Sequence, residues 1–292
     1  MQPISFYFLR SHQMSTYSIP EGKYADIGVI AGHPQRVHYH EQGTGEAVIF
    51  LHGAGTGASG YSNFKGNYPE FAKAGFRAIV PDLLGYGLSS KTEAPKQYDM
   101  DFFIAGVKGL VDQLGLKNIT LLGNSLGGAV ALGYALKYPE DVKNLILMAP
   151  GGVEEFETYM AMPGIANMFN IYKQGKTGPE AMRAVMSMQV VDQSLLTDEI
   201  INERAPIALT QTDASRQRLY IPNMTEQLPQ LTCNVLAFWG MQDAFNPVDG
   251  AEKLANGIKH CRVVLVNQCG HWVQVEHRAM FNRTCIDFMK NG

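Results

Sequence analysis

The segment "NITLLGNSLGGAVALGYALKYP", beginning at Asn118, constrains this chain more than any other. Its first part is apolar without interruption, as a strand covered on both faces should be, and its last part is rich in small residues that suit a closely packed helix. Only Gly123-Asn124-Ser125-Leu126-Gly127 lies between them. The two glycines let the backbone turn sharply enough to lift the Ser125 hydroxyl above the sheet edge, which is the strand and helix context that the pattern G-x-S-x-G requires.

Short β-rich runs, several of them apolar throughout, recur along the chain with helical segments between them: "RVHYHE", "AVIFLH", "RAIVPD", "NLILMA", "NVLAFWG" and "RVVLVN". Alternation of this kind predicts an α/β class, a mostly parallel sheet with helices on both faces. Between Pro150 and about Leu231 the strand signal stops, and "GPEAMRAVMSMQV" and "LTDEIINERAPIAL" carry a helical period instead. We therefore expect residues 31–150 and 232–292 to form the core and residues 151–231 a helical lid, inserted between the sixth and seventh strands. Residues 1–30 read as a partly disordered N-terminal extension, with no role assigned to the first thirteen residues.

A chain of 292 residues that is 46% apolar has enough material for a large core. The net charge of -3 mixes both signs and contains no long like-charged run, so nucleic acid is an unattractive partner. No apolar stretch approaches the roughly 18 residues of a membrane span, and the opening residues lack the small-residue cleavage site of an export signal. Cys233, Cys261, Cys269 and Cys285 show no metal-ligand spacing and read as reduced thiols of a cytoplasmic protein. A small-molecule ligand is the expected partner. Half of the fourteen methionines fall between Met148 and Met188, a cluster that favours an adaptable apolar pocket.

A serine hydroxyl is a weak nucleophile near neutral pH, so it needs a base beside it and an acid to orient that base. Asp243 follows the run "NVLAFWG", and His271 follows "RVVLVN", so each occupies a loop after a strand. His277 and Asp249 compete for these roles, but both read as helix-start residues. Stabilising an oxyanion requires aimed backbone N–H groups. Leu126 supplies one at the start of a helix, and Ala54 in "HGAGTGASGYSN" supplies the second, with His52 shaping the turn. The segment "PDLLGYGLSS" reads as a structural loop beneath the site.

The serine elbow, "LHGAGTGASGYSN" and "CGHWVQVEH" together resemble one branch of the α/β-hydrolases, the meta-cleavage product hydrolases of bacterial aromatic degradation. The likeness runs from about Val37 to the C-terminus and implies the α/β-hydrolase fold. It implies hydrolysis of a carbon-carbon bond in a 2-hydroxy-6-oxohexa-2,4-dienoate, without a metal or organic cofactor, in a homodimer or larger assembly. It places Ser125, Asp243 and His271 as the catalytic triad. Asn124, Arg204 and Trp272 match positions that hold the dienoate carboxylate end, and Asn63 one near the oxygen on C2. Thr56 stands where proline is common in that family, and Ala54 where glycine is usual.

Arg204 has support from the residues themselves, because it interrupts the stripe Ile200, Ile207 and Ala208, and a buried guanidinium suits a carboxylate. Pro206 works against it by disfavouring helix at Ala205. Two other functions fit the same elbow: a carboxylesterase for small apolar esters, and a ligand-sensing protein that kept the fold.

Overall fold

A computed structural model describes residues 19–92, 98–175, 178–212, 214–215 and 219–292. Its eight-stranded sheet has the order β1-β2-β4-β3-β5-β6-β7-β8. The strands are β1 Lys23–Ile30, β2 His33–Gln42, β3 Ala47–Leu51, β4 Arg77–Pro81, β5 Ile119–Asn124, β6 Val142–Met148, β7 Asn234–Gly240 and β8 Cys261–Val266. β1 and β2 join by antiparallel pairing, and every pairing from β4 to β8 is parallel. This is the α/β-hydrolase fold, and all the parallel strands end on one edge.

Period-two side-chain alternation divides the core between the two faces. Val48, Phe50, Leu122, Ile146 and Phe238 pack on one face, whereas Ile49, Leu51, Leu121, Leu147 and Trp239 pack on the other. β5 is buried at every position, as its unbroken apolar run requires.

One boundary is corrected. Lys23–Ile30, which the sequence places in an extension, forms strand β1 of the sheet. It is an edge strand with most of its residues exposed or half-buried, so no apolar run marks it, and its identity comes from pairing with β2. Residues 1–18 of that extension lie outside the described residues.

Helices α1 Gly60–Phe64, α2 Tyr68–Lys73, α3 Met100–Gln113 and α4 Leu126–Lys137 come before β6. Among the described residues, the α-helices between β6 and β7 include α5 Phe156–Ala161, α6 Pro163–Lys173, α7 Pro179–Met186 and α8 Asp198–Thr210. They pack onto the loops at the strand ends, for example through Gly164 N–H to the Ala244 carbonyl at 2.7 Å. Helix α8 continues past Pro206, against the expected interruption. Its Thr197 cap and the burial of Ile201, Arg204 and Ile207 on one face outweigh the one backbone bond that proline deletes. No described helix is long and apolar enough to cross a membrane.

Candidate active site

Ser125 follows β5 at φ 54° and ψ −116°, in left-handed space that costs a non-glycine residue about 1–3 kcal/mol. The frame around it holds that strain. Ser125 N–H donates to the Met148 carbonyl at 3.0 Å, and its own carbonyl accepts from Ala129 and Gly151. The flanking glycines are required by close approach: a Cβ at Gly127 would lie 2.0 Å from the Leu51 carbonyl oxygen, and one at Gly123 would lie 2.3 Å from the Gly127 oxygen. The helix after the elbow, Leu126–Lys137, can therefore press against β3 while Ser125 stays partly open.

His271 and Asp243 meet as the sequence predicts, with Nδ1 to Oδ2 at 2.7 Å and both side chains almost wholly buried. The other Asp243 oxygen accepts N–H bonds from Phe245 at 2.7 Å and Asn246 at 3.0 Å, so the carboxylate cannot rotate away. The Phe245 ring lies 5.2 Å from the imidazole. His277 accepts no such role: it precedes the helix Arg278–Asn291 and its Nε2 bonds to the Gln268 carbonyl. Asp249 begins the helix Asp249–Gly257 without a side-chain cap bond.

Two groups orient the backbone donors. Leu126 is the first residue of its helix, where an N–H has no carbonyl one turn back to bind. In the loop after β3, buried His52 accepts from Leu83 N–H at Nε2 (3.0 Å), so Nδ1 carries the proton and donates to the Gly53 carbonyl at 2.8 Å. Burial pushes the His52 pKa down and keeps the ring neutral. A peptide unit is planar and trans, so fixing the Gly53 carbonyl aims the Ala54 N–H in the opposite direction.

Arg204 is buried, with 4% of its surface exposed. One Nη2 bond reaches the Ser62 carbonyl at 3.2 Å, and the guanidinium lies 5.0 Å from the centre of the Trp272 ring. Its Nε has no partner among the described residues. Burial lowers the pKa to about 10, partly countered by Glu203, and the group remains cationic near neutrality. Asn63 is one residue from that Ser62 carbonyl; its amide nitrogen donates to the Ser59 carbonyl at 2.8 Å.

Asn124 is buried beside the nucleophile, and its amide nitrogen donates to the Met148 and His271 carbonyls at 3.2 and 3.3 Å, which ties the elbow to the histidine loop.

Several residues here have no signal in the sequence. Buried Glu203 pairs with Lys65 and ties α8 to the helix Gly60–Phe64 region. Glu276 accepts N–H bonds from Val191, Asp192 and Gly270, and the Gln189 carbonyl accepts from His271 N–H, so the inserted segment is stitched to the histidine loop. Beneath the site, the Asp82 carboxylate accepts from Gly60, Leu88 and His38. Burial opposes its ionisation, but His38, His52 and the Leu88 N–H together hold its carboxyl below the ordinary range. The "PDLLGYGLSS" loop is thus the structural support it was expected to be.

The family model described as alpha/beta hydrolase fold matches residues 46–177 and 153–278. A Comamonas testosteroni protein named 2-hydroxy-6-oxononadienedioate/2-hydroxy-6-oxononatrienedioate hydrolase is 37% identical over 88% of this chain and 92% of its own length. A Burkholderia cepacia protein named 2-hydroxy-6-oxo-6-phenylhexa-2,4-dienoate hydrolase is 36% identical over the same shares. Among solved structures, a meta-cleavage product hydrolase from Pseudomonas fluorescens IP01 superposes with a TM-score of 0.81 at 26% identity, covering 92% of this chain and 97% of that one. Fold and elbow together define a hydrolase of the α/β class that works through serine. Within that class, the chain belongs to the meta-cleavage product hydrolases.

Proposed function

We propose that this hydrolase cleaves a carbon-carbon bond in a 2-hydroxy-6-oxohexa-2,4-dienoate, giving 2-hydroxypenta-2,4-dienoate and a carboxylic acid. The observation that carries this reading is the buried, still cationic Arg204, with Nε unpartnered beside Trp272. An unsatisfied buried guanidinium is costly, and a substrate carboxylate supplies the missing acceptor. A simple ester needs no such anchor.

Breaking the bond requires the leaving carbon to take an electron pair. Ketonisation of the 2-hydroxydienoate prepares it, since the 2-oxo group then accepts that pair as a dienolate. In this reading His271, held by Asp243, moves the proton, while Arg204 and Trp272 hold the carboxylate and Asn63 faces the oxygen on C2. Ser125 attacks the C6 carbonyl, the Ala54 and Leu126 amides stabilise the oxyanion, and water completes the hydrolysis. Asn124 joins Arg204 and Trp272 at the carboxylate end and also keeps the serine and histidine loops in register.

The helices between β6 and β7 serve as the lid. Two apolar clusters from them flank the histidine loop: Met182, Met186 and Ile201 around Trp272, and Met168, Val185 and Met188 around Phe245. They suit an apolar group on C6. The four cysteines are free, which supports a reducing, cytoplasmic setting, and the edge strand β8 with half-exposed Leu265 supports a homodimer.

The test is absorbance decay of yellow 2-hydroxy-6-oxo-6-phenylhexa-2,4-dienoate and congeners with other C6 groups, beside p-nitrophenyl acetate, for the parent and Ser125→Ala. Serine-dependent bleaching supports the reading. Brisk ester hydrolysis with no dienoate turnover makes the protein an esterase, and ligand binding with neither activity makes it a sensor.

A further inference from the structure

The loop that carries Ala54 is gripped by the inserted helices as well as by the core. Gln211, directly after α8, accepts the Gly57 N–H at 2.8 Å and donates to the Gly55 carbonyl at 3.1 Å. Between those two glycines, the Thr56 hydroxyl meets the Tyr172 hydroxyl of α6 at 2.6 Å. The main chain of Arg204 lies against Gly57, where a Cβ would come 2.5 Å from the Arg204 carbonyl oxygen.

These contacts matter because the loop has little stiffness of its own. Gly55 and Gly57 sit at φ 140° and 73°, and glycine at such positions leaves the backbone broad freedom when nothing holds it. His52 fixes the peptide between Gly53 and Ala54 from the core side. Gln211 fixes the two peptides on either side of Thr56 from the lid side. A side chain doing both tasks needs one acceptor and one donor at its tip, which an amide has and a carboxylate lacks.

We infer that Gln211 is a positioning residue, coupling the anchoring of the substrate carboxylate at Arg204 to the aim of the Ala54 N–H at the developing oxyanion. The inference deepens the proposed function and rests on its assignment of Arg204 and Ala54. Arg204 and Gln211 are joined by two turns of one helical segment, so a carboxylate that fixes the first also fixes the second. Gln211 thus aims the oxyanion donor while the lid is seated, and a bound carboxylate at Arg204 holds the lid there.

The experiment compares Gln211→Ala and the nearly isosteric Gln211→Glu with the parent chain, on p-nitrophenyl acetate and on 2-hydroxy-6-oxo-6-phenylhexa-2,4-dienoate. An oxyanion donor acts in the transition state, so kcat should fall roughly tenfold to a hundredfold in the alanine variant while KM stays within about twofold. Gln211→Glu keeps the acceptor and loses the donor, so its kcat should lie between the two. Ketonisation seen by stopped-flow should keep its parent rate, which a general loss of structure would not allow. Should the alanine variant fail to fold, Gln211→Glu carries the test. Parent-like kcat, or a raised KM with kcat kept, overturns the inference. If the parent hydrolyses only the ester, the substrate reading has failed, and the ester kcat of the variants still decides the role of Gln211.

Discussion

The Arg204 guanidinium and the Trp272 ring stack at 5.0 Å, although they come from an inserted helix and from the loop after the last strand. The ring face gives the cation some of the stabilisation that burial removes, and leaves Nε without a hydrogen bond. The unpartnered Nε costs the fold a hydrogen bond, which under the proposed function the substrate carboxylate supplies.

That cost predicts opposite effects on activity and stability. Arg204→Leu should lower kcat/KM for the dienoate about a hundredfold, the worth of a lost charged hydrogen-bond pair, and lower ester hydrolysis far less. The same variant should melt at or above the parent temperature, because an unsatisfied buried charge is gone. Steady-state kinetics and a thermal melt check the two halves; a large fall in melting temperature would show that Arg204 is structural.

Asp243→Asn should leave the fold intact, since the Phe245 and Asn246 N–H groups still find an acceptor oxygen. It removes the acceptor that sets the His271 tautomer, so kcat should drop by about 10⁴. Single-turnover kinetics with a circular dichroism control would show it. A fall below tenfold would contradict the triad.

Acid should weaken the fold through His40. Burial and the neighbouring His38 lower its pKa from 6.5 to about 4, against the pull of Asp82. The folded protein prefers neutral His40, so below about pH 6.5 the unfolded chain binds the proton first. Stability is fully present above that value and drains as pH falls toward 4, by on the order of 3 kcal/mol if His40 acts alone. Urea unfolding at pH 7 and pH 5 should show the loss, and His40→Asn should flatten it. An unchanged pH slope in that variant would assign the effect to other groups.

Gly127→Ala should be severely destabilising, since its Cβ would meet the Leu51 carbonyl oxygen at 2.0 Å, and a backbone oxygen inside the sheet has little room to give way. We expect a loss of about 3 kcal/mol or more, or no soluble protein. A denaturant midpoint close to the parent's would mean that the elbow has room to relax.

The elbow was legible because its requirements are local: an apolar strand, two glycines where no Cβ fits, and a small-residue helix within one short segment. Strands β2 to β8 were legible for the same reason, as short β-rich runs between helical segments. β1 was not, because an edge strand needs little apolar surface and is defined by its partner. Pro206 misled for the converse reason, as a local penalty yielded to tertiary burial.

What the sequence alone determined is the order of the chemistry: Ser125, Asp243 and His271 each after a strand, and the glycine loop carrying Ala54 after β3. Tertiary structure decided what surrounds them. Only folding turned the Asn124 amide toward two carbonyls, buried Arg204 against Trp272, and brought Gln211 to the Ala54 loop across more than 150 residues. Strand and turn patterns are written by neighbours along the chain, whereas a hydrogen bond between distant segments depends on packing that no local pattern records.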